Sequence, residues 1–185
     1  MKQYLCLALL AVAGLLVGCQ QTQTTEPPVK PAEQKAAAPA PAPAAMEKIT
    51  EIIVDNADPA FRSEGTWDAG EAAQNFKASV VFASGGDQAT AKAIWTPVIV
   101  VPGTYEVLEW HGEDPNSDHA SDAPFTINYD GGSKTVPVNL RENIGKWNTF
   151  GTFKFAAGTR GNVTLTNKAN GNVIADAIKF VYKGK

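Results

Sequence analysis

The stretch Thr104-Tyr105-Glu106-Val107-Leu108-Glu109-Trp110, directly after the turn pair Pro102-Gly103, decides the fold. Successive side chains of a β-strand point to opposite faces, so Tyr105 and Val107 share one face and are predicted to lie in the core. Glu109 falls on that same face. Either the strand has emerged from the core by Glu109, or the acid is placed inside the domain. We favour emergence, because strands are short and fray at their ends.

Other segments show the same period of two or short β-branched runs, bounded by Gly, Pro, Asn and Asp, and no long 3.6-residue apolar stripe. The predicted strands are 50–54, 76–82, 90–95, 104–110, 125–129, 134–139, 149–155, 162–166 and 173–182. Asp130-Gly131-Gly132 and Asn170-Gly171 are turn signals, and the second predicts a hairpin between the last two strands. Residues 47–185 are therefore predicted to form one all-β domain, a β-sandwich that is jelly-roll-like rather than immunoglobulin-like.

Six short segments of this region occur in the same order as in a known domain family. They are Val54-Asp55-Asn56, Gly65-Thr66-Trp67, Ala93-Ile94-Trp95-Thr96-Pro97, and the segments 102–107, 145–155 and 175–180. Together they resemble the golvesin C-terminal-like domain, also called the xanthan-lyase carbohydrate-binding-like domain. The resemblance implies a β-sandwich of the kind found in carbohydrate-binding modules, which is usually appended to larger secreted enzymes or surface proteins.

The N-terminal residues have the features of a secretory signal. Lys2 precedes an apolar run over residues 4–17, which is shorter than the roughly 20 residues needed to span a bilayer. The segment closes on Leu16-Val17-Gly18-Cys19, which resembles the lipobox of bacterial lipoproteins. The resemblance implies that residues 1–18 are removed and that Cys19 carries lipid, which anchors the protein to a membrane without crossing it. The alternative is a plain secretory signal with an incidental cysteine.

The predicted location is the bacterial cell envelope. Gln20 follows Cys19, which favours the outer membrane over the inner membrane. Residues 19–46 hold six prolines and almost no large apolar side chain, so they are predicted to form a disordered linker after the lipidated cysteine. Polyproline II in its Pro-Ala part, at roughly 3.1 Å per residue, makes it a spacer. The alternative is that this part is itself recognised by a cell-wall partner.

Composition excludes several classes of function. The cysteines, Cys6 in the signal and Cys19 at the anchor, leave the folded part without a disulfide or a thiolate metal site. The net charge is −3 and the chain has no basic run, which argues against nucleic acid as a partner.

Tryptophans are the first candidates for sugar contacts, because an exposed aromatic face can stack on a pyranose ring. Trp67 and Trp95 sit within the family-like pieces and are predicted to be core. Trp110 and Trp147 lie at strand ends beside polar residues, although packing at the core or rim is an equally good explanation. The candidate ligand contacts are Trp110, His111, Trp147 and Asn148.

Asp176 is predicted to be a buried acid. Lys179 should point to water with Ala175, Ala177 and Val181 on its face, which leaves Asp176 on the inner face with Ile178 and Phe180. A buried carboxylate has to be paired, hydrogen-bonded or bound to metal. We expect it to accept backbone N–H groups or to pair with Arg62 or Arg141. The alternative is a structural Ca²⁺, with Asp55, Asp58 and Asp176 as candidate ligands, and no other cofactor is predicted.

No catalytic site is predicted. The loop 112–122 holds four carboxylates, but their spacing does not match an EF-hand, so we expect a solvated acidic loop. His119, Ser121 and Asp122 lie too close in sequence for a hydrolase triad. Two converging carboxylates would be needed for a glycosidase.

The prediction is therefore a non-catalytic, lipid-anchored module outside the cytoplasm that binds a polysaccharide or cell-envelope glycan. The alternative is a structural or adaptor lipoprotein that docks a protein partner through a face of its sheet.

Overall fold

A computed structural model describes residues 50–113 and 118–185, which build twelve strands and one short 3₁₀ helix, Phe76–Ala78. The strands are β1 (Glu51–Asp55), β2 (Phe61–Glu64), β3 (Asp68–Glu71), β4 (Ser79–Ala83), β5 (Lys92–Trp95), β6 (Gly103–Trp110), β7 (Ala123–Tyr129), β8 (Gly132–Val138), β9 (Trp147–Phe155), β10 (Asn162–Thr166), β11 (Val173–Ala175) and β12 (Ala177–Gly184). The predicted signal (1–18) lies outside the described residues, as does nearly all of the predicted linker and anchor (19–46). Within the described ranges, no helix is long and apolar enough to cross a bilayer.

All strand pairs are antiparallel and form three sheets. The orders are β1-β12-β6-β9, β2-β5-β10-β7-β8 and β11-β4-β3. The chain passes repeatedly from one sheet to another, for example from β5 to β6 to β7, and the first strand lies beside the last. This arrangement confirms the predicted all-β, jelly-roll-like sandwich.

The core forms where the inner faces of the sheets meet. Tyr105 and Val107 are buried as predicted, and the rings of Tyr105 and Phe155 meet edge to face at 5.9 Å. Trp95 is also buried as predicted, with its ring 6.1 Å from that of Phe125. Trp67 is only partly buried and packs against the rim of the core.

The prediction that β6 has left the core at Glu109 is wrong, because this side chain is only 1% exposed. β6 lies between β12 and β9, and both neighbours run beside it as far as Trp110. The end of the strand therefore stays covered and does not fray.

Several strand boundaries differ from the sequence prediction. β2 and β3 were not predicted, because FRSE and DAGE lack an alternating apolar pattern. The predicted strand 76–82 begins as the 3₁₀ helix and becomes β4 only at Ser79. The turn at Asp130-Gly131-Gly132 is confirmed: Tyr129 pairs with Gly132, and Gly131 has the positive φ of 99° that such a turn requires.

The predicted strand 173–182 is interrupted at Asp176. β11 pairs with β4 in one sheet and β12 pairs with β6 and β1 in another, so the alternation does not continue through the break. Ala175 and Ala177 are consequently buried, contrary to prediction. The predicted Asn170-Gly171 hairpin is also wrong, because β10 pairs with β5 and β7 and not with β11.

Asn167, directly after β10, fixes both ends of the loop between β4 and β5. Its Oδ1 accepts the backbone N–H groups of Thr90 and Ala91, both at 2.8 Å. Its Nδ2 donates to the Ser84 carbonyl at 2.8 Å and to the Thr90 hydroxyl at 2.9 Å. Asn167 and Ala91 are both buried, so the Ala91 N–H depends on Asn167 for its hydrogen bond.

We expect Asn167→Ala to lower the free energy of unfolding by about 2–4 kcal/mol, because it leaves the buried Ala91 N–H unpaired and removes three further hydrogen bonds to the β4–β5 loop. Urea denaturation measures the change. Asn139→Ala is the matched control, since Asn139 accepts one backbone bond from Arg141 at 3.2 Å, and it should cost about 1 kcal/mol or less. Equal losses in the two variants would contradict this role for Asn167.

Candidate functional site

A cleft of about 940 Å³ crosses the outer face of the five-stranded sheet. Cross-strand pairing sets its floor: Arg62 pairs with Ile94, Ile94 with Thr164, and Thr164 with Thr126. Because directly paired residues point to the same face, these four side chains form one row across β2, β5, β10 and β7. The other lining residues are Pro59, Ala60, Phe61, Lys92, Thr96, Val98, Asn128, Thr159 and Asn162.

The cleft combines cations, amides and hydroxyls with a few apolar side chains. Arg62 pairs with Glu64 at 3.0 Å, but the Arg62 side chain is 70% exposed. Such a surface pair contributes little, so the guanidinium is available to a ligand. Asn128 donates to Asn162 Oδ1 at 2.7 Å, and Val98 is 59% exposed at the wall. This set can bind hydroxyls through amides, carboxylates through cations and C–H surfaces through apolar atoms.

Trp110 and Trp147 lie on the other sheet and do not line this cleft. They are directly paired across β6 and β9, and their rings meet at 5.4 Å. Phe76 packs against both, and Lys179 Nζ lies 4.3 Å from the centre of the Trp147 ring. Both tryptophans are partly buried. Their role as ligand contacts stays a prediction.

His111 and Asn148 face inward and line a second, smaller pocket together with Glu109. The His111 ring is buried, with Nδ1 2.9 Å from Glu109 Oε2 and Nε2 3.0 Å from the Glu142 carbonyl oxygen. The four predicted contacts therefore divide between two faces of one sheet, because neighbouring residues on a strand alternate.

Asp176 is buried as predicted, and its Oδ2 accepts the Phe76 N–H at 3.0 Å. The prediction of a backbone partner is confirmed. The arginine alternative is wrong: Arg62 pairs with Glu64, and Arg141 pairs with Asp118 at 3.1 Å.

Asp55 and Asp58 meet at the end of β1. Asp58 Oδ2 accepts the Asp55 N–H at 2.9 Å, and Asp55 Oδ1 accepts the Ala57 N–H at 3.3 Å. In the part of the chain that the structure describes, Asp55 Oδ2 and Asp176 Oδ1 are buried without a hydrogen-bond partner. Oxygen atoms of this kind suit Ca²⁺. However, no group of three or more His, Cys, Asp or Glu side chains in residues 50–113 and 118–185 is arranged to hold a metal ion. Calcium stays a prediction.

Burial, with a smaller contribution from the nearby carboxylates of Asp55 and Glu109, raises the pKa of Asp176 to about 8, against the lowering effect of the Phe76 N–H. Burial also raises the pKa of Asp55. Without a cation, Asp176 is therefore protonated at neutral pH in the folded protein.

The residues of the excluded triad hydrogen-bond to Leu140 and Asn170. His119 Nδ1 lies 3.1 Å from the Leu140 carbonyl oxygen. Ser121 Oγ accepts from Asn170 Nδ2, and Asp122 Oδ1 accepts the Asn170 N–H, both at 2.8 Å. In the acidic loop, Asp118 is exposed to solvent, and residues 114–117 lie outside the described residues.

The cleft was not predicted from the sequence. Arg62 belongs to β2, which has no strand pattern. Lys92, Thr126 and Thr164 occupy alternate positions of predicted strands, and that alternation is the signal that could have indicated a polar outer face.

The protonated state of Asp176 has a measurable consequence. The unfolded chain releases this proton near pH 4 and the folded protein near pH 8, so stability should fall as the pH rises between these values and then level off. In metal-free buffer we expect Asp176→Asn, which stays neutral, to lack this fall and to exceed the wild type at pH 8.5 by more than about 1 kcal/mol. Urea denaturation at pH 5, 7 and 8.5 measures both effects.

The exposed Asp118→Asn variant is the control and should follow the wild-type pH dependence. Parallel curves for Asp176→Asn and the wild type would contradict the protonated state. Stabilisation of the wild type by added Ca²⁺, absent in Asp176→Asn, would instead support the calcium prediction.

Comparison with known proteins agrees with the fold. The chain is 32% identical over 144 residues to xanthan lyase of Bacillus sp. (strain GL1), a match that covers 74% of this chain and 15% of that protein. The solved structure of Paenibacillus xanthan lyase superposes with a TM-score of 0.67 at 33% identity, covering 72% of this chain and 13% of the other. The chain thus spans only a small part of these relatives.

A weaker likeness, with a TM-score of 0.48 and 18% identity, is to a family 35 carbohydrate-binding module from Clostridium thermocellum, and it covers 70% of this chain and 98% of that one. The model of the golvesin C-terminal domain family matches residues 52–182, nearly the whole described region. This chain therefore belongs to the golvesin C-terminal domain family.

Proposed function

We propose that this protein is a non-catalytic, lipid-anchored module of the bacterial cell envelope that binds polysaccharide. The observation that carries the proposal is the cleft on the five-stranded sheet. It is open, about 940 Å³ in volume, and extends across four strands from Arg62 to Thr126. An extended polymer can lie along such a surface without having to enter through a chain end.

The chemistry of the lining supports a polysaccharide that carries carboxylates. Asn128, Asn162 and the threonines supply donors and acceptors for hydroxyls, while Ile94 and Val98 offer apolar surface to the C–H faces of sugar rings. Arg62 and Lys92 add two cations, and a guanidinium can bind a carboxylate through two parallel hydrogen bonds. Cations in the cleft of an acidic protein favour an anionic partner at this face.

The relatives support the same class of ligand. Both are named as lyases of xanthan, and the region shared with this chain covers 15% of one and 13% of the other. Because the shared region is so small, we extend only the class of ligand, polysaccharide, to this chain and not the lyase reaction. A shared region of this size fits a single binding domain that acts separately from a catalytic unit.

The N-terminal sequence supports the anchor. Cys19 and the Pro-rich residues up to 46 lie before the domain that carries the cleft, so a lipid on Cys19 would hold that domain at the end of a spacer. Gln20 supports the outer membrane as the site of anchoring. The adaptor function is less well supported, since Val98 and Val100 are the large apolar side chains exposed in the described residues, and Val98 belongs to the cleft.

Removal of the two cations tests the cleft. We expect the double variant Arg62→Gln/Lys92→Gln to bind xanthan roughly ten- to a hundredfold more weakly than the wild type, as follows from the loss of one to two charged hydrogen bonds. Affinity electrophoresis of the full-length protein in gels that contain xanthan measures this change. Carboxyl-reduced xanthan should retard both proteins equally.

The control is Lys134→Gln/Lys168→Gln, which removes the same charge outside the cleft and should bind like the wild type. Unchanged retention of the cleft variant would contradict the assignment, and loss of retention in Trp147→Ala would place the site at the paired tryptophans. A folded wild type that no polysaccharide retards would support the adaptor function instead.

The anchor is tested separately. We expect Cys19→Ser to abolish incorporation of labelled fatty acid and to release the protein from the membrane fraction, because serine provides no thiol for the lipid. Labelling, fractionation and mass spectrometry of the N-terminus measure this, with Cys6→Ser as the matched control that keeps the anchor. Labelling of Cys19→Ser at the wild-type level would contradict lipidation at this residue.

A further inference from the structure

A second pocket, of about 200 Å³, opens at the lateral edge of the sandwich. β9 is the edge strand of the four-stranded sheet and β8 is the edge strand of the five-stranded sheet, so the pocket lies where the two sheets part. Its lining includes Glu109, His111, Val136, Val138, Asn143 and Asn148. None of these residues lines the cleft described above.

Hydrogen bonds define where the protons of the inner wall lie. The Glu142 carbonyl oxygen can only accept, so His111 Nε2, 3.0 Å away, must carry a hydrogen. Nδ1 lies 2.9 Å from Glu109 Oε2, so one further proton lies between these two atoms. If that proton is on Nδ1, an imidazolium faces a carboxylate. If it is on Oε2, a neutral imidazole faces a carboxylic acid. The net charge of the pair is zero in both cases.

Glu109, which lines this pocket, carries an unsatisfied carboxyl oxygen, Oε1. Among the described residues it has no hydrogen-bond partner, although the side chain is only 1% exposed. A buried oxygen without a donor costs roughly 1–3 kcal/mol, so a ligand that brings a donor regains this energy. Because the pair with His111 is neutral, a neutral donor such as a hydroxyl complements it better than an ammonium group.

The remaining walls fit the shape of a sugar. Val136 and Val138 of β8 and Phe150 of β9 give apolar surface, and Asn143 and Asn148 give amide groups. The volume of about 200 Å³ is smaller than the roughly 300–1,000 Å³ of pockets for drug-sized ligands, and it suits a single ring. Apolar surface combined with hydrogen-bonding groups matches the two kinds of surface on a pyranose.

We propose that this edge pocket is a second glycan site, which takes one uncharged sugar residue and receives a hydroxyl hydrogen bond at Glu109 Oε1. The inference rests on the proposed function for the class of ligand but on different residues for the site. The cleft would hold the interior of an acidic polysaccharide, whereas the pocket, limited to one ring, would hold a terminal residue or a side-branch residue.

Nuclear magnetic resonance titration of the full-length protein in detergent micelles tests the proposal. The probes are the methyl glycosides of glucose, mannose and galactose, compared with those of glucuronate and glucosamine. We expect at least one neutral glycoside to cause saturable shifts of the backbone amides of His111, Asn143 and Asn148. Val138→Phe, which fills the pocket, should weaken binding at least about tenfold.

Two further variants separate the pocket from other effects. Val181→Phe makes the same substitution on β12 outside the pocket and should bind like the wild type. Glu109→Gln keeps the shape but replaces the carboxylate with a weaker neutral acceptor, so it should bind the glycoside several-fold more weakly while remaining folded. Thermal denaturation of each variant checks the fold.

The proposal is overturned if no neutral glycoside gives saturable shifts at these amides, or if the charged glycosides bind there more tightly than the neutral ones. Equal binding by Val138→Phe and the wild type would also overturn it. The Arg62→Gln/Lys92→Gln variant should keep its glycoside shifts, which distinguishes failure of the cleft from failure of the pocket.

Discussion

Asp176 connects all three sheets, and the rest of the structure depends on this residue. It occupies the break between β11 and β12, which belong to different sheets. Its side-chain carboxyl group accepts a hydrogen bond from the Phe76 N–H, at the start of the segment that leads into β4. Its backbone carbonyl accepts a hydrogen bond from Trp95 Nε1 of β5 at 3.2 Å. A side-chain oxygen is needed here as an acceptor, because the Phe76 N–H lies before β4 and outside the strand ladders. The cost is a buried acid whose pKa rises to about 8.

This connection also positions the cleft. Trp95 is held in the core from the Asp176 side, and along β5 the side chains alternate, so Ile94 and Lys92 must face outward. Pairing of β5 with β2 and β10 then places Arg62 and Thr164 beside Ile94. The proposed binding surface is thus the outer side of the strands whose inner side makes the core. A change that shifted the register of β5 by one residue would lose both surfaces together.

The fold could be predicted from the sequence where the local pattern of side chains reflects which face of a strand lies in the core. Alternation in β6, β7 and β9, and the turn at Gly131, were sufficient for the sandwich. β2 and the break at Asp176 were not predictable, because pairing across the sheets determines them and FRSE has no pattern of its own. For the site, Asp176 is inside as predicted, although the alternation behind that prediction does not continue through the break, and Glu109 was misjudged because covering by β9 and β12 is a tertiary effect. The surroundings of Trp110 and Trp147 could not be predicted either, because Phe76 and Lys179, which pack there, are distant in sequence.

The hairpin of β7 and β8 contributes to both candidate binding surfaces. Thr126 and Asn128 of β7 face the cleft, while Val136 and Val138 of β8 face the edge pocket. β8 is an edge strand, so one side of the pocket is open where no further strand continues the sheet. An exposed edge is a hazard for aggregation, and a site that uses it must keep it polar. Lys134, Ser133 and Thr135 of β8 do so on the exposed positions of the same strand. The architecture that leaves β8 at the edge therefore creates the pocket, and the charge on β8 keeps the edge from pairing with another chain.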